Sequence, residues 1–467
     1  MLSMAANRRW AAAAIVAIAL LRVAATHAVF SETNDEPMHV TAGIQIFEEH
    51  RYDVQNLNPP LPRLFFAAGP LLLGAHLVPE GFSRTLYTAA YPQTLITARA
   101  GNLVFLFIAL VAAWAWARRE AGDAAALLTV LLLANEPLLL GHAGVTTHDA
   151  AAAAGVALSL WAFSRRNALL LGAAYGFAIL CKFSCIGFVP IACAAMLLVR
   201  RERPPLRDAA IVIVAAAVVV CAGYAFHPAR FLEGIAALRE IDRAGMLSYL
   251  HGELRTKGWW YYFPVAIALK TTLPFLSLAL GGLFVPRARP YLAAAGAMLL
   301  LTLPSHLDLG ARYVLPLYVP LALAAAVTLT SIRLRSVAVV LIVAQIAVAA
   351  LAHPDYIAYF NALAGRKPSR WLIDSNLDWG QDAKRLGAVA RELHVDDLKI
   401  AIMTIADLDA LGFPPREPVG AGLRTHGWIA VSEHMYRIAR AQLGGRLWLD
   451  GLPYRRVGKS IRLYHVR

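Results

Sequence analysis

Long apolar runs alternate with short polar turns over most of the chain, from about residue 10 to residue 352. A transmembrane helix needs about 20 predominantly apolar residues, and most of these runs approach that length. We predict about eleven spans, at 10–29, 94–117, 123–140, 149–163, 168–181, 184–199, 208–226, 263–285, 290–304, 313–332 and 336–352. The pattern therefore predicts a mostly α-helical, polytopic membrane protein.

Arginine pairs at every second boundary between spans indicate the orientation, because Lys and Arg are retained on the cytoplasmic side of short loops. They lie at 8–9, 118–119, 165–166, 200–207, 287–289 and 333–335. The amino terminus is thus expected in the cytoplasm, with segments 31–93 and 226–262 and the carboxyl-terminal region outside. The apolar segment Leu64–Val78 is predicted to be re-entrant or interfacial, because a crossing there would invert every later pair.

Composition agrees with a membrane setting and argues against nucleic acid as a partner. The chain of 467 residues is 59% hydrophobic and 16% charged, with a formal net charge of +14. Most of the basic excess lies in the arginine pairs just described, where topology and attraction to anionic membrane lipids account for it.

The region 354–467 is more charged, contains no predicted span and is expected to form a small α/β domain outside the membrane. Its predicted elements are helices at 381–393 and 435–443 and strands at 398–405, 428–432 and 461–466. We therefore predict a transmembrane domain over 1–353, with the first outer loop 31–93 carrying the chemistry, and a second domain over 354–467. Asp374, Asn376 and Asp378 do not fit a calcium loop, since Trp379 and Arg385 occupy positions that need Gly and Glu.

The outer segment after the first span carries a carboxylate pair, Asp35 and Glu36, ahead of apolar residues with helical spacing. Acidic residues in a first helical turn can cap the helix, and a carboxylate at the membrane edge can also accept a proton, so both interpretations stay open. Arg63 follows a proline-rich corner at 58–62 and either pairs with a phosphate or extends to the interface.

Further polar residues are predicted at the same outer level. Asp149 begins the fourth span, where a carboxylate either caps the helix or faces a cavity. Lys182 lies in the turn between two short spans. The remaining candidates are His251, Lys270, His306 and Arg312. One membrane face thus gathers carboxylates from three loops and cations from at least four segments, which favours a cavity for an anionic, lipid-linked substrate.

Several motifs together resemble bacterial glycosyltransferase family 39, the phospholipid-carrier-dependent transferases related to protein O-mannosyltransferases and lipid A aminoarabinose transferases. The resemblance runs along nearly the whole chain. It rests on Asp35-Glu36, Asn58-Pro59-Pro60-Leu61, Thr146-Thr147-His148-Asp149, His251-Gly252, Gly258–Pro264, Lys270-Thr271, Gly310–Pro316 and, for one bacterial subgroup, Tyr359-Phe360-Asn361, Gly365 and Asp374–Asp382. Asn58 departs from the family, in which a histidine or lysine often precedes Pro-Pro.

The resemblance implies a C-type membrane glycosyltransferase fold in a bacterial inner membrane. It matches Asp35 to the catalytic base, Glu36 and Asp149 to accompanying acidic positions, and Lys182, Lys270 and Arg312 to the cavity rim. The implied donor is a polyprenyl-phosphate-linked sugar and the acceptor a protein, lipid or glycan, with inversion at the anomeric carbon. No cofactor is certain and a divalent metal stays an open alternative. A lipid or sugar-lipid transporter and a non-catalytic scaffold are the rival interpretations.

Overall fold

The computed structural model describes residues 2–78 and 82–467, which are predominantly helical. The α-helices before the segment 226–262 are α1 Leu2–Ala24, α2 Glu36–Glu49, α3 Leu61–Leu72, α4 Phe82–Thr85, α5 Tyr91–Leu133, α6 Pro137–Ala143, α7 His148–Ser164, α8 Ala168–Cys181, α9 Cys185–Arg200 and α10 Leu206–Gly223. Those that follow are α11 Pro228–Ala244, α12 Tyr262–Lys270, α13 Leu273–Gly281, α14 Arg289–Thr302, α15 Tyr318–Ser331, α16 Arg335–Ala352, α17 Ala383–Glu392 and α18 Glu433–Gln442.

Helices occupy every predicted span, but in two places the helix boundaries differ from the prediction. Helix α5 contains two predicted spans, and Gly122 has a non-helical φ of 85° between them. The predicted span 263–285 is broken after Lys270, and the helices on either side meet at 118°. Thr271 and Thr272 are extended there, and Pro274 lies in the first turn of the second helix. Proline cannot continue a preceding helix, so the local sequence explains the break.

The number of crossings is not confirmed by helix length alone. Among the described residues, four helices are long and apolar enough to cross a membrane, or five if the bent pair counts as one span. Helices α8 and α9 are apolar but short. The protein is thus a multi-pass membrane protein, and the count of about eleven stays a prediction.

Helix α3 occupies the segment that was predicted to lie at the interface. It has 12 residues, or about 18 Å at 1.5 Å per residue, well short of the about 30 Å hydrocarbon core. It packs between α2 and α5. Its length is consistent with an interfacial or re-entrant helix.

The core of the bundle is built from small residues on α5, α7 and α15. The stretches Ala150–Ala154 on α7 and Ala322–Ala326 on α15 are at most 1% exposed. Small side chains let helix backbones approach closely, which is the usual packing inside membranes. This close packing fixes the amino-terminal end of α7, where Asp149 lies.

The segment 226–262 has a structure that its sequence pattern did not predict. It contains α11 and a hairpin of two short antiparallel strands, β1 Ser248–Leu250 and β2 Glu253–Arg255. Helix α11 mixes charged and apolar residues and is mostly exposed along its length. It therefore gave no span signal, yet it forms part of the cavity described below.

The carboxyl-terminal region contains a small mixed sheet with one helix on each face, which confirms the predicted sheet domain. Its strands are β3 Leu398–Ala401, β4 Arg416–Pro418, β5 Gly427–Ser432, β6 Arg455–Val457 and β7 Ile461–Val466. Their order is β4-β3-β5-β7-β6, with β3 parallel to β4 and β5 and the remaining pairs antiparallel. Successive residues of a strand face opposite sides: Ala430 packs with Leu386 on α17, and Val431 with Tyr436 on α18.

Candidate active site

A cavity of about 810 Å³ lies at one end of the helical bundle, where the ends of several helices meet. Asp35 immediately precedes α2, Asp149 stands in the first turn of α7, Lys182 joins α8 to α9, and Arg312 lies in the 3-10 segment Ala311–Leu317. All four side chains line the cavity. Residues 277 positions apart in sequence therefore meet at one site.

These four residues form a chain of ion pairs. The Arg312 guanidinium donates from Nη1 to Asp35 Oδ2 at 2.8 Å and lies 3.8 Å from Asp149 Oδ2. The Lys182 ammonium donates to Asp149 Oδ1 at 2.5 Å. Asp149 is buried, whereas the Asp35 side chain keeps 28% of its surface exposed. Asp35 is thus the carboxylate with room for a further partner.

Aromatic rings hold the two cations in place. The Arg312 guanidinium lies 4.2 Å from the ring centroid of Trp379, and Lys182 Nζ lies 4.6 Å from that of Tyr313. Cation–π contacts stabilise a positive charge without neutralising it. Both cations therefore remain able to attract an anion in the cavity.

The carboxyl-terminal region supplies the support behind Arg312. Asn376 Oδ1 accepts a hydrogen bond from the Ala311 amide at 2.9 Å, and Ser375 Oγ donates to the carbonyl of Leu309 at 2.7 Å. A Cβ on Gly310 would lie 2.1 Å from Ser375 Oγ, so a larger residue would displace the Ser375 hydroxyl from this hydrogen bond. The motif Asp374–Asp382 therefore holds the segment that carries Arg312.

The same motif also holds the segment that precedes Asp35. The Asn34 amide donates to the Trp379 carbonyl at 3.1 Å, and the Ser31 amide donates to the Gln381 carbonyl at 3.1 Å. Ser31 Oγ donates to the Gly380 carbonyl at 2.9 Å. Asp35 and Arg312 are consequently both positioned by one stretch of chain, residues 374–381.

Two buried histidines line the cavity beside Asp149. The rings of His39 and His148 are 4.5 Å apart, and His148 Nε2 lies 3.1 Å from the Pro59 carbonyl oxygen. Burial lowers the pKa of His39 well below its ordinary value, and nearby Arg63 and Arg312 lower it further. The surroundings of His39 therefore favour its neutral form.

Neither histidine was predicted as a site residue, although both lie close in sequence to a predicted carboxylate. His39 follows Asp35 by four residues, which places both on the same helical face. His148 directly precedes Asp149 in the Thr-Thr-His-Asp motif. Neither signal was specific, because a lone histidine at a helix end is common.

Helix α11, which the sequence pattern did not predict, forms the rim of the cavity. Arg239, Asp242 and Arg243 line it. Asp242 Oδ1 accepts hydrogen bonds from Ser305 Oγ at 2.8 Å and from the His306 amide at 3.0 Å, and His306 Nδ1 lies 2.9 Å from the Asp242 carbonyl oxygen. The predicted site residue His306 thus fastens α11 to the neighbouring loop and does not line the cavity.

Glu36, predicted beside Asp35 as catalytic, points away from the cavity. Its carboxylate is fully buried and forms a two-point ion pair with Arg99, at 2.9 Å to Nε and 2.6 Å to Nη2. It also accepts the amides of Thr33 at 2.8 Å and Thr146 at 2.9 Å. Burial alone would raise the pKa of Glu36, but Arg99 and these hydrogen bonds lower it below its usual value. This placement makes Glu36 a scaffold residue.

Lys270 is likewise placed away from the cavity. Its Nζ donates to the backbone carbonyls of Ile357 at 2.8 Å, Tyr359 at 2.5 Å and Asn376 at 2.6 Å. An ammonium has three donors, and all are used. Lys270 therefore ties the broken span to the carboxyl-terminal region.

The structure places the two remaining predicted residues outside the cavity lining. Arg63 is buried on α3, and its Nη1 donates to the carbonyl of Gln55, which does line the cavity. Its Nε and Nη2 have no partner among the described residues. His251 is exposed at the turn between β1 and β2, with its ring 4.3 Å from that of Trp371.

Metal binding finds no support in the part of the chain that the structure describes. Within residues 2–78 and 82–467, no group of three or more His, Cys, Asp or Glu side chains could hold a metal ion. The site chemistry that these residues offer is proton transfer and the binding of an anion.

Comparison with known proteins agrees with this architecture. Residues 85–225 match the family model described as dolichyl-phosphate-mannose-protein mannosyltransferase. No curated protein sequence matches the chain. The fold is similar to that of ArnT from Cupriavidus metallidurans bound to undecaprenyl phosphate, with 16% identity, a TM-score of 0.57 and coverage of 97% of both chains. Against ArnT in the apo state the identity is 16%, the TM-score 0.58 and the coverage 98% of both chains.

These matches confirm the predicted resemblance and the predicted C-type membrane glycosyltransferase fold. The family model covers α5 to α10, which includes Asp149 and Lys182 but neither Asp35 nor Arg312. The role of each site residue is therefore argued from the geometry of this chain.

Proposed function

We propose that the protein is a membrane glycosyltransferase that moves a sugar from a polyprenyl-phosphate donor to an acceptor, with inversion at the anomeric carbon. The observation that carries the proposal is the chain of ion pairs Asp35–Arg312–Asp149–Lys182 on one cavity of about 810 Å³. The undecaprenyl phosphate bound to the similar ArnT supports a donor of the same class.

Asp35 is proposed as the general base. It is the partly exposed carboxylate of the set, and its one ion-pair partner in the described chain, Arg312, fixes its orientation. Its carboxylate takes the proton of the acceptor group as that group attacks the anomeric carbon. The bond from the sugar to the phosphate oxygen breaks, and the electron pair leaves with the polyprenyl phosphate.

Arg312 and Lys182 are proposed to receive the departing phosphate. A glycosidase must protonate a poor leaving group and so needs a second carboxylic acid. A polyprenyl phosphate leaves as a stable anion, so preorganised cations are sufficient. Asp149 holds both cations at the cavity wall, with Lys182 at 2.5 Å and Arg312 at 3.8 Å. In this mechanism Glu36 and Lys270 maintain the scaffold and touch no substrate.

The setting belongs to the same proposal: the family resemblance suggests a bacterial inner membrane, and the arginine pattern suggests the orientation. We place the amino terminus in the cytoplasm and the cavity at the outer face. The acceptor is a protein, lipid or glycan that reaches the cavity from that side. The region 354–467 forms the extracytoplasmic domain, and the transferase domain spans 1–353.

The test is sugar transfer from a labelled polyprenyl-phosphate donor by purified protein in proteoliposomes. Asp35→Asn removes the base and keeps the shape, so the transfer rate should fall about 10²–10⁴-fold. Asp53→Asn is the matched control, because Asp53 lies on the same outer segment and is 56% exposed. It should retain the wild-type rate.

Three results would contradict the proposal. Undiminished transfer by Asp35→Asn would remove Asp35 from its role. Wild-type protein that moves the labelled lipid across the bilayer without breaking its sugar–phosphate bond would be a transporter. Wild-type protein that does neither would be a scaffold.

A further inference from the structure

A second cavity lies at the opposite end of the bundle from the candidate active site. Helix α7 carries Asp149 in its first turn, at the candidate active site, and ends at Ser164, which lines the second cavity. Its 17 residues place the two ends about 25 Å apart along the helix axis. The second cavity encloses about 1050 Å³, slightly more than the about 300–1,000 Å³ of typical small-molecule pockets.

The wall of the second cavity is an apolar slot between α9 and α10. Leu171 and Tyr175 of α8, Val189, Pro190, Cys193 and Leu197 of α9, and Val212 and Ile213 of α10 line it. Helix α10 is held against α8 because Gly172 and Gly176 allow close contact with Val212 and Val219. Helix α9 packs instead against α14. The slot is thus left open between α9 and α10.

Apolar side chains on both helices that flank the slot are exposed at the surface of the bundle. Ile213 on α10 is 65% exposed and Leu198 on α9 is 79% exposed. Apolar side chains exposed on a transmembrane bundle are solvated by acyl chains. A ligand with acyl chains can therefore enter this slot sideways from the bilayer.

The mouth of the slot carries two positive charges without a carboxylate partner among the described residues. Its acidic residues are all paired: Glu120 with Arg200, Glu202 with Arg166 at 3.0 Å, and Asp208 with Arg207 at 3.6 Å. Arg119 and Arg203 also line the mouth, and neither forms an ion pair with any described residue. Arg119 Nε donates to the Ser164 carbonyl at 2.6 Å, which fixes its position.

We propose that this cavity binds an anionic glycerophospholipid of the membrane leaflet opposite the active site, with its acyl chains in the slot and its phosphate at Arg119 and Arg203. Charge complementarity selects the headgroup, since two unpaired cations favour a net negative lipid over a zwitterionic one. The apolar wall selects a diacyl lipid over a soluble phosphate compound. The proposal is independent of the transferase activity, because no residue of the active cavity lines this one.

Lipid binding to purified, delipidated protein in detergent tests the proposal, with native mass spectrometry as the readout. Phosphatidylglycerol should bind to the wild type more tightly than phosphatidylcholine. Arg119→Gln with Arg203→Gln should weaken phosphatidylglycerol binding roughly 25-fold, from roughly fivefold for each arginine near a membrane surface. Binding of phosphatidylcholine should not change.

The matched control is Arg333→Gln with Arg335→Gln. Both arginines are exposed at the same end of the bundle, since α15 leads there from the Arg312 segment, and neither lines the cavity. This variant should bind phosphatidylglycerol like the wild type. Ala209→Trp provides a second test without a charge change, because Ala209 lines the slot. The indole should fill the slot and weaken phosphatidylglycerol binding while sugar transfer is retained.

Several outcomes would overturn the proposal. Equal affinity for phosphatidylglycerol and phosphatidylcholine would show lipid contact without headgroup recognition. An equal loss in the Arg333/Arg335 control would show a general charge effect. Displacement of phosphatidylglycerol from the wild type by polyprenyl phosphate at equal concentration, together with weaker polyprenyl phosphate binding to Ala209→Trp, would assign the slot to the carrier lipid instead.

Discussion

Asp35 and Glu36 are chemically similar neighbours with opposite surroundings. Asp35 faces the cavity, with 28% of its side chain exposed and Arg312 as its ion-pair partner. Glu36 is fully buried and receives two hydrogen bonds from Arg99 and one each from the amides of Thr33 and Thr146. A carboxylate has about four acceptor positions, so Glu36 is saturated and Asp35 is not.

The same contrast separates Lys182 from Lys270. Lys182 donates to one carboxylate and lies over an aromatic ring at the cavity wall. Lys270 uses its donors on three backbone carbonyls in the interior. A charged side chain at this end of the bundle is available for chemistry where its hydrogen-bonding capacity is unfilled, and it stabilises the scaffold where that capacity is filled.

Glu36→Gln should have the largest effect, and it should act on stability. The substitution leaves the buried guanidinium of Arg99 without its counter-ion, which costs about 3–5 kcal/mol of unfolding free energy. Denaturant unfolding in detergent micelles measures this loss. Asp35→Asn is the comparison variant and should cost less, because Asp35 is 28% exposed and Asp149 still lies 3.8 Å from the Arg312 guanidinium. Equal destabilisation by the two substitutions would contradict the scaffold role of Glu36.

Arg312→Gln should act mainly on the reaction. It removes a cation that the proposal places on the departing phosphate, so transfer should fall about 10²–10³-fold, as for other preorganised charge donors. The matched control is Arg255→Gln on the outer hairpin, where the side chain is 53% exposed, and transfer should stay at the wild-type rate. Full transfer by Arg312→Gln would place the phosphate elsewhere in the cavity.

The stabilisation that ionised Glu36 provides should depend on pH. Burial tends to raise the pKa of Glu36, but Arg99 outweighs it, and the folded-state pKa lies below the ordinary 4.5. A lowered folded-state pKa contributes stability above the unfolded-state value and loses it as the pH falls through the folded-state value. The stability gap between wild type and Glu36→Gln should therefore be full at neutral pH and narrow below pH 4.5. Unfolding curves across that range measure it, and a constant gap would contradict the assigned ionisation.

His251→Ala should have the smallest effect. His251 is exposed on the hairpin, where its ring packs on Trp371 at 4.3 Å, and it does not line the cavity. Loss of one aromatic pair costs about 0.5–1.5 kcal/mol of stability. Transfer should remain within about twofold of the wild type, measured in the same proteoliposome assay, because no substrate contact is removed. A much larger loss would bring the hairpin into substrate binding.

The sequence predicted the helices better than the number of crossings. Apolar runs gave each span its position, because burial in lipid demands them, but the break at Thr271 and Thr272 lies inside one such run. Helix α11 was missed since its mixed charged and apolar residues resemble a surface loop. The pattern of apolar and polar residues along a sequence does not show which loops will contact a helix such as α11.

The site was predicted in part for a similar reason. Asp35, Asp149, Lys182 and Arg312 were expected at one outer level, and the structure brings them onto one cavity. Glu36, Lys270 and His251 were expected at the same membrane face, but they do not line the cavity. Depth along a span can be read from sequence, whereas the direction of a side chain around its helix depends on tertiary partners such as Arg99.

The attachment of residues 374–381 to both Asp35 and Arg312 has a consequence for biosynthesis. A ribosome makes the four charged residues of the cavity first, and Asn376 and Trp379, which hold their supporting segments, emerge more than sixty residues after Arg312. A nascent chain that has inserted its helices into the bilayer therefore contains all four charged residues before the segment that positions Asp35 and Arg312 has been made. The cavity can therefore assemble only after translation has passed residue 381.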